Sequence, residues 1–257
     1  MVKCSMKVRF GGDLLQTAVD VSHVSVKFNM AKERVDNLKE YFIKLVRRQL
    51  MFEEFVALKD ISFTVGTGEV FGIVGLNGSG KSTLLKVISG ILKPSEGTSK
   101  VYGSISPLIE LGAGFDMDLT ARENIFLNGS VLGFSRTQMK ERFADIVSFS
   151  ELQGFIDVAL KNYSSGMIAR LGFAIATITQ PDVLILDEIL AVGDFLFQQK
   201  CESRISDMMQ KGTTVLIVSH SIDQIERLCN QAIWLEHGEI KMIGDTKIIC
   251  DAYSSSR

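Results

Sequence analysis

Residues 69–82 read EVFGIVGLNGSGKS, an apolar stretch that runs directly into a glycine-rich turn. The nearly all-apolar segment 69–74 predicts a strand that is buried on both faces, and a helix is predicted over 81–90. Between them, residues 75–82 match the pattern GxxxxGK[ST] of a phosphate-binding loop, in the strand–turn–helix context that this pattern requires. The stretch therefore predicts an α/β fold that binds a nucleoside triphosphate beyond the end of a buried strand.

The residue types in this loop suit the binding of a phosphate chain. Gly75, Gly78 and Gly80 permit backbone angles and a close approach that a side chain would block. The partial positive charges of their amides and of the helix N-terminus point toward the phosphates. Lys81 reaches the β- and γ-phosphates, and the Ser82 hydroxyl ligates Mg²⁺. The predicted nucleotide-binding residues are Gly75, Leu76, Asn77, Gly78, Ser79, Gly80, Lys81, Ser82 and Thr83.

Two further apolar strands end in residues that suit hydrolysis. The segment 183–188 reads VLILDE, so that Asp187 at the end of the strand can hold Mg²⁺. Glu188 then polarises the attacking water, either as a general base or by orienting it. The second strand, VLIVS, ends at His220, which we expect to contact the γ-phosphate because ligands collect at the carboxyl ends of such strands.

The rest of the chain alternates between strand-like and helix-like stretches. Residues 1–18 form a leader that the pattern leaves unassigned, and 19–257 form one nucleotide-binding domain. Strands are predicted at 19–28, 55–65, 183–187 and 214–220, helices at 197–209 and 221–229, and a terminal hairpin at 232–244. We expect a mostly parallel sheet with an antiparallel β subdomain and a helical subdomain inserted at about 120–178.

Residues 31–52 are predicted to form an amphipathic, basic helix. Apolar residues including Val35, Leu38 and Phe42 recur at steps of three and four, and Lys44 and Arg47 lie elsewhere on the helical wheel. The helix either covers the core of the domain or turns its basic face to lipid head groups or to a membrane subunit. The sequence leaves both interpretations open.

Composition narrows the class of protein. The chain has 257 residues, of which 46% are hydrophobic and 23% charged, which is typical of a globular domain. A net charge of −2 argues against nucleic acid as an obligate partner. The four cysteines form no CxxC pair, which favours a reducing compartment. No apolar run approaches the ~18 residues that span a bilayer, so a role at a membrane would require docking on another chain.

Taken together, these elements resemble the nucleotide-binding domains of ABC ATPases. Residues 163–171 read YSSGMIARL, in the place of the LSGGQ signature and its helix in that family. A serine-rich run that opens a helix offers a hydroxyl and free amides to an anion. The resemblance implies that Tyr163, Ser164, Ser165, Gly166 and Met167 complete the nucleotide site of a second copy, so that a head-to-tail homodimer encloses each ATP together with Mg²⁺.

The resemblance also assigns residues outside the signature. Asp194, in the segment AVGD, corresponds to the family's D-loop aspartate and is expected at the dimer seam. Phe28 lies where the family carries an aromatic residue that stacks on adenine, and Phe52 or Phe55 could fill this role instead. The family's Q-loop glutamine is missing, and Glu110 is the nearest polar candidate for a metal ligand. The surrounding loop 108–124 is the expected surface for a membrane partner.

Three longer stretches narrow the branch. YSSGM-x-ARL, DEILAVGD-x-x-FQQKC and LIELGAGF-x-x-x-LT-x-REN are similar to the exporters of O-antigen, capsule and teichoic acid chains. The resemblance implies a peripheral ATPase on the cytoplasmic face of the inner membrane, bound to permease subunits and touching the lipid-linked glycan only indirectly. It also implies that the C-terminal carbohydrate-binding domain of some members is missing. The alternatives are a soluble ABC-type ATPase or an ABC exporter of another cargo.

Overall fold

The structure is a computed structural model that describes residues 16–31, 52–108, 112, 114–187, 193–219 and 221–256. The predictions for Glu110, Glu188 and His220 fall outside these residues. The same holds for residues 1–15 and for residues 32–51 of the predicted amphipathic helix. Their predicted roles stay predictions.

Strands and helices alternate along most of the chain. The strands are β1 (Thr17–Ala31), β2 (Phe52–Gly66), β3 (Val70–Val74), β4 (Glu96–Val101), β5 (Ile105–Leu108), β6 (Val183–Asp187), β7 (Thr214–Val218), β8 (Gln231–Glu236) and β9 (Glu239–Asp245). The helices are α1 (Lys81–Ile88), α2 (Ala121–Val131), α3 (Arg136–Ser150), α4 (Ser165–Ala176), α5 (Phe195–Gln210), α6 (Ile222–Leu228) and α7 (Thr246–Ser255). Two short 3₁₀ turns, Gln153–Phe155 and Leu160–Asn162, connect α3 to α4.

The central sheet has the strand order β5-β6-β7-β3-β8-β9. Neighbouring strands from β5 to β8 are parallel, and β9 pairs antiparallel with β8 as the second strand of the predicted hairpin. A second, antiparallel sheet has the order β2-β1-β4. The predicted fold class, a mostly parallel sheet with an antiparallel β subdomain and an inserted helical subdomain, is confirmed.

Strand β3 is buried on both faces, as its apolar sequence predicts. Val70 and Val74 join a core cluster that contains residues of α4, α5, α6 and α7. Phe71 and Ile73, which point the other way, join a second cluster with α1 and the antiparallel sheet. Because side chains alternate across a strand, one short strand contributes to two separate cores. This double burial fixes the position of the loop that follows Val74.

The helical layer α2–α4 occupies the chain between β5 and β6. Thr120 and Ser135 each begin a helix with a capping box, in which the cap hydroxyl accepts a backbone N–H and the third helical residue bonds back. The layer packs against the central sheet through residues such as Ile125, Ile146 and Phe173. Among the described residues, no helix combines the length and the apolar character that crossing a membrane requires.

The structure differs from the sequence predictions in several places. Ala31 and Phe52, the two ends of the helix predicted over 31–52, lie in strands and pair with each other, so the prediction is wrong at both ends. Strands β4 and β5 and helix α7 were not predicted. Strand β1 begins at Thr17, two residues before the predicted start of that strand. Helix α1 ends at Ile88, two residues before its predicted end.

Candidate nucleotide-binding site

The turn between β3 and α1 has a shape that only glycine allows at three positions. A Cβ atom on Gly75 would collide with the backbone oxygen of Leu235 on β8. Gly80 has a φ of +103°, and a Cβ there would lie 2.8 Å from the backbone oxygen of Ala57. Gly78 has open space but a φ of +80°, which a residue with a side chain adopts only under strain. Gly75 and Gly80 therefore let the loop pack closely against β8 and β2, while residues 76–78 between them are exposed.

Lys81 lies within the loop and is almost completely buried. Its side chain is 6% exposed, and its Nζ donates to the backbone oxygens of Gly75 at 2.8 Å and Leu76 at 2.9 Å. A buried ammonium group needs such partners because its desolvation is costly. A phosphate oxygen would be a stronger acceptor than these neutral carbonyls, because a bond between two charged groups is the stronger kind. The position of Lys81 agrees with its predicted role at the phosphates.

Two further features of the loop fit a triphosphate. The Ser79 residue is 5% exposed, and its Oγ has no hydrogen-bond partner among the described residues. Helix α1 begins at Gly80 without a side-chain cap, so the N–H groups of its first turn remain available to an anion. Ser82 is exposed and Thr83 is half-buried in that same turn. The buried Ser79 hydroxyl and the N–H groups at the uncapped start of α1 are both placed to bond the oxygens of a phosphate chain.

Asp187 ends strand β6 on the same edge of the central sheet as the phosphate loop. Its backbone lies opposite Val218 on β7, and β7 in turn pairs with β3. Because adjacent strands are about 4.8 Å apart, β6 runs roughly 10 Å from β3. Asp187 is half-buried. A carboxylate at this distance suits the predicted role of holding Mg²⁺ beside the phosphates.

Two exposed phenylalanines face each other on the antiparallel sheet. Phe28 on β1 and Phe55 on β2 are directly paired, and they are 39% and 50% exposed. Three residues further along β2, the Leu58 side chain packs where a Cβ on Gly80 would be, so β2 runs past the phosphate loop. The aromatic pair therefore lies about 10 Å along this strand from the loop. Only the backbone of Phe52 is described, paired with Ala31.

We expect Phe28→Ala and Phe55→Ala each to weaken ATP binding. Stacking of a base on an aromatic ring contributes about 1–3 kcal/mol, which corresponds to roughly 5- to 150-fold in the dissociation constant. Titration of the purified variants with ATP measures the change, and Tyr102→Ala, which removes an aromatic residue that is 41% exposed elsewhere, is the control. A loss in Phe55→Ala alone would transfer the stacking role from Phe28 to Phe55. Unchanged affinity in both variants would contradict an adenine site here.

The signature segment opens helix α4 with two exposed hydroxyl groups. Ser164 is the N-cap, and its Oγ accepts a hydrogen bond from the backbone N–H of Met167 at 3.2 Å. Ser165 is also exposed, and a Cβ on Gly166 would meet only the Ser164 hydroxyl, at 3.9 Å. Tyr163 differs, because its ring is buried and its hydroxyl donates to the backbone oxygen of Phe155 at 2.6 Å. Its side chain anchors the turn, which leaves its backbone for any contact with a ligand.

Asp194 begins helix α5 and makes two contacts within its own chain. Oδ1 accepts from the backbone N–H of Phe197 at 3.0 Å, and Oδ2 accepts from Nη2 of Arg170 at 2.6 Å. These contacts, the first more than the second, hold the pKa of Asp194 below its usual range. The residue is on the surface, as a role at a dimer seam requires. Its link to Arg170 on the signature helix was not predicted from the sequence.

The described cysteines play no part in this site. Cys201, Cys229 and Cys250 are buried and unpaired with one another. Burial raises the pKa of the Cys201 and Cys229 thiols to about 12. Thiols in this state are protonated at neutral pH and are poor nucleophiles and poor metal ligands.

Comparison with known proteins agrees with this arrangement. Residues 58–191 match the family described as ABC transporter. The chain is 38% identical to the O-antigen export system ATP-binding protein RfbB of Klebsiella pneumoniae over 244 residues, covering 94% of this chain and 99% of that protein. It is 41% identical to the teichoic acids export ATP-binding protein TagH of Bacillus anthracis, covering 91% of this chain and 42% of the relative.

Solved structures share the fold. A dimeric structure of the ATP-binding cassette MJ0796, bound to ADP and Pi in a post-hydrolysis state, superposes with a TM-score of 0.71 at 22% identity. The match covers 89% of this chain and 98% of that one. A second structure, of the ATP-binding subunit of an ABC transporter, gives a TM-score of 0.72 over 93% of this chain, also at 22% identity.

Proposed function

Because this chain belongs to the ABC transporter family, we propose that it is the ATP-hydrolysing subunit of an exporter that moves a lipid-linked polysaccharide across the inner membrane. The observation that carries the cargo class is its similarity to RfbB along 99% of that protein's length. Relatives named for teichoic acid export extend this similarity to a second class of exported polymer. The phosphate loop supplies the chemistry that drives the transport.

The residues of one chain divide the work of hydrolysis among them. The loop amides and Lys81 bind the β- and γ-phosphates, and Ser82 with Asp187 would hold Mg²⁺. When bound, Mg²⁺ neutralises negative charge on the phosphates. Glu188 polarises the attacking water, and His220 contacts the γ-phosphate. These roles are assigned from the positions of the residues in the sequence and from the geometry of the loop.

The second half of each nucleotide site comes from another copy of the chain. Ser164 and Ser165 present hydroxyl groups at the uncrowded start of α4, where an anion is stabilised by free amides and by the helix dipole. In the proposed head-to-tail homodimer, this helix start closes on the γ-phosphate that the phosphate loop of the partner holds. ATP binding then closes the dimer, and hydrolysis reopens it.

The permease is proposed to dock on the helical layer. Exposed apolar side chains concentrate around α2, where Val131 is 80% exposed and Met117, Leu127 and Leu132 are 40–44% exposed. A surface of this kind favours a protein partner. It overlaps the segment 108–124, which contains Met117 and which the sequence predicts as the partner surface. The chain would thus sit peripherally on the cytoplasmic face of the membrane, with its glycan contact passing through the permease.

The export function can be tested in cells that carry this chain and its permease. Without the chain, we expect lipid-linked polysaccharide to accumulate at the inner membrane and surface polysaccharide to be lost, because export lacks its energy source. Wild-type chain should restore the surface glycan and Glu188→Gln should not, as measured by surface labelling and lipid extraction. Normal surface glycan in the deletion, with another substrate retained inside, would indicate a different cargo. A chain that never co-purifies with the permease would indicate a soluble ATPase.

A further inference from the structure

Arg170 forms the centre of an ion-pair cluster on the signature helix α4, six residues after the Ser164 cap. Its Nη1 donates to Oε2 of Glu151 at 2.8 Å, and its Nη2 donates to Oδ2 of Asp194 at 2.6 Å. The guanidinium lies over the ring of Phe197, 4.6 Å from the centroid, and the side chain is only 18% exposed. These contacts hold the group from several directions.

The two carboxylates belong to different parts of the fold. Glu151 ends α3 with a φ of +60° and therefore belongs to the helical layer. Asp194 begins α5, which packs on the central sheet, and follows the segment 188–192 that contains Glu188. Gly193, the residue before Asp194, is crowded, because a Cβ atom there would lie 3.3 Å from Nε of Arg170. Arg170 thus connects the signature helix to the start of α5, six residues after Glu188 in the sequence.

The chemistry of arginine suits a contact with two carboxylates at once. A guanidinium is a planar fork that bonds two acceptors in fixed directions and stacks on a ring at the same time, which the single ammonium of lysine cannot reproduce. Both carboxylates are stabilised in the charged form, since Lys200 and Arg170 lower the pKa of Glu151, and the Phe197 N–H and Arg170 lower that of Asp194. Glu151 and Asp194 are therefore both charged at neutral pH.

We propose that Arg170 is a positioning residue for ATP hydrolysis, which holds the signature helix and the start of α5, six residues after Glu188, in one fixed arrangement. Closure of Ser164 on the ATP of a second copy is then transmitted through Arg170 and Asp194 to the segment that carries Glu188. This inference rests on the proposed head-to-tail closure of two copies. It adds a connection between a copy's own signature helix and its own hydrolytic segment.

The test compares Arg170→Lys, Asp194→Asn and the double variant in the full-length chain. Asparagine keeps an oxygen to accept the Phe197 N–H and so retains the helix cap, but it removes the charge that Arg170 needs. We expect kcat to fall roughly 10- to 100-fold in each single variant, which is the size of loss that a small misplacement causes. The dissociation constant of the single chain for ATP should stay unchanged, because neither residue belongs to the phosphate loop or to the aromatic pair Phe28 and Phe55. The double variant should be no slower than the slower single variant.

Lys200→Met is the matched control. Lys200 bonds Oε1 of the same Glu151 at 3.0 Å and lies over Phe149 in the same aromatic cluster, but it does not contact Asp194. We expect this variant to melt at a lower temperature and to keep the wild-type kcat. Normal kcat in Arg170→Lys, an equal loss in Lys200→Met, or losses that multiply in the double variant would each overturn the inference. Absence of ATP hydrolysis in the wild-type chain would instead contradict the proposed function.

Discussion

Replacing Lys81 by methionine is expected to weaken ATP binding by about 100-fold or more, and ATP hydrolysis should be lost with it. Each hydrogen bond to a charged group contributes about 1.5–3 kcal/mol, and losing two such bonds to the phosphates corresponds to roughly 10²- to 10⁴-fold in affinity. Methionine is chosen because it has a similar length and suits a site where the lysine is only 6% exposed. Titration with ATP and release of phosphate measure the two effects.

The loop itself must survive the change for this result to be informative. Lys81→Met removes the Lys81 donor from the backbone oxygens of Gly75 and Leu76, although the Leu76 oxygen still accepts the Ser79 N–H at 3.1 Å. The melting temperature therefore has to be measured beside the affinity. Lys86→Met, in the last turn of the same helix α1, is the control and should bind ATP normally. ATP affinity that stays normal in a folded Lys81→Met protein would contradict the assignment of this loop.

Replacing Glu188 by glutamine should retain ATP binding and lower turnover by about 10²- to 10⁴-fold, the usual contribution of a general base. Glutamine keeps the size of the side chain but cannot accept the proton of the attacking water. Binding and hydrolysis are measured separately, by titration and by phosphate release. Glu202→Gln removes a partly exposed carboxylate on α5 and should hydrolyse ATP at the normal rate.

The same variant should hold the ATP-bound homodimer long enough to trap it. A chain that carries Glu188→Gln, Asn77→Cys and Ser164→Cys should form a crosslink between copies when ATP is added. Asn77 and Ser164 are exposed, whereas Ser79 is 5% exposed and would shield a cysteine from reagent. No crosslink in the presence of ATP would contradict the head-to-tail dimer, and a normal hydrolysis rate would contradict the role of Glu188.

The sequence predicts the central part of the fold because local signals there agree with the tertiary structure. The largely apolar sequences of β3, β6 and β7 predict buried strands, and all three are confirmed. The glycines of the phosphate loop are predicted by a short sequence motif, and the structure shows that they have positive φ angles, with too little space for a Cβ atom at Gly75 and Gly80. Both features appear as short local patterns, so the sequence alone predicts them, although the space at Gly75 and Gly80 is limited by residues of β8 and β2 that are distant in the chain.

Elements that depend on distant partners were missed. The sequence EGTSKV of β4 has one strongly apolar residue, and it becomes a strand because its backbone pairs with β1. Strand β5 contains Pro107, which favours an edge position. Ala31 and Phe52 fit a helical pattern, but pairing between β1 and β2 decides their conformation. The contact between Arg170 and Asp194 joins residues 24 positions apart and has no local signal.

The way in which the helical layer is attached to the sheet has a mechanical consequence. The chain leaves the sheet at Leu108 and re-enters it at Val183, on two strands that are hydrogen-bonded neighbours. In the register of this pair Leu108 lies opposite Leu186, so the two points of attachment are about 10 Å apart. A rotation of the whole helical layer about these two points of attachment would leave every other strand pair of the sheet undisturbed. Through the contact between Arg170 and Asp194, such a rotation would also displace the start of α5.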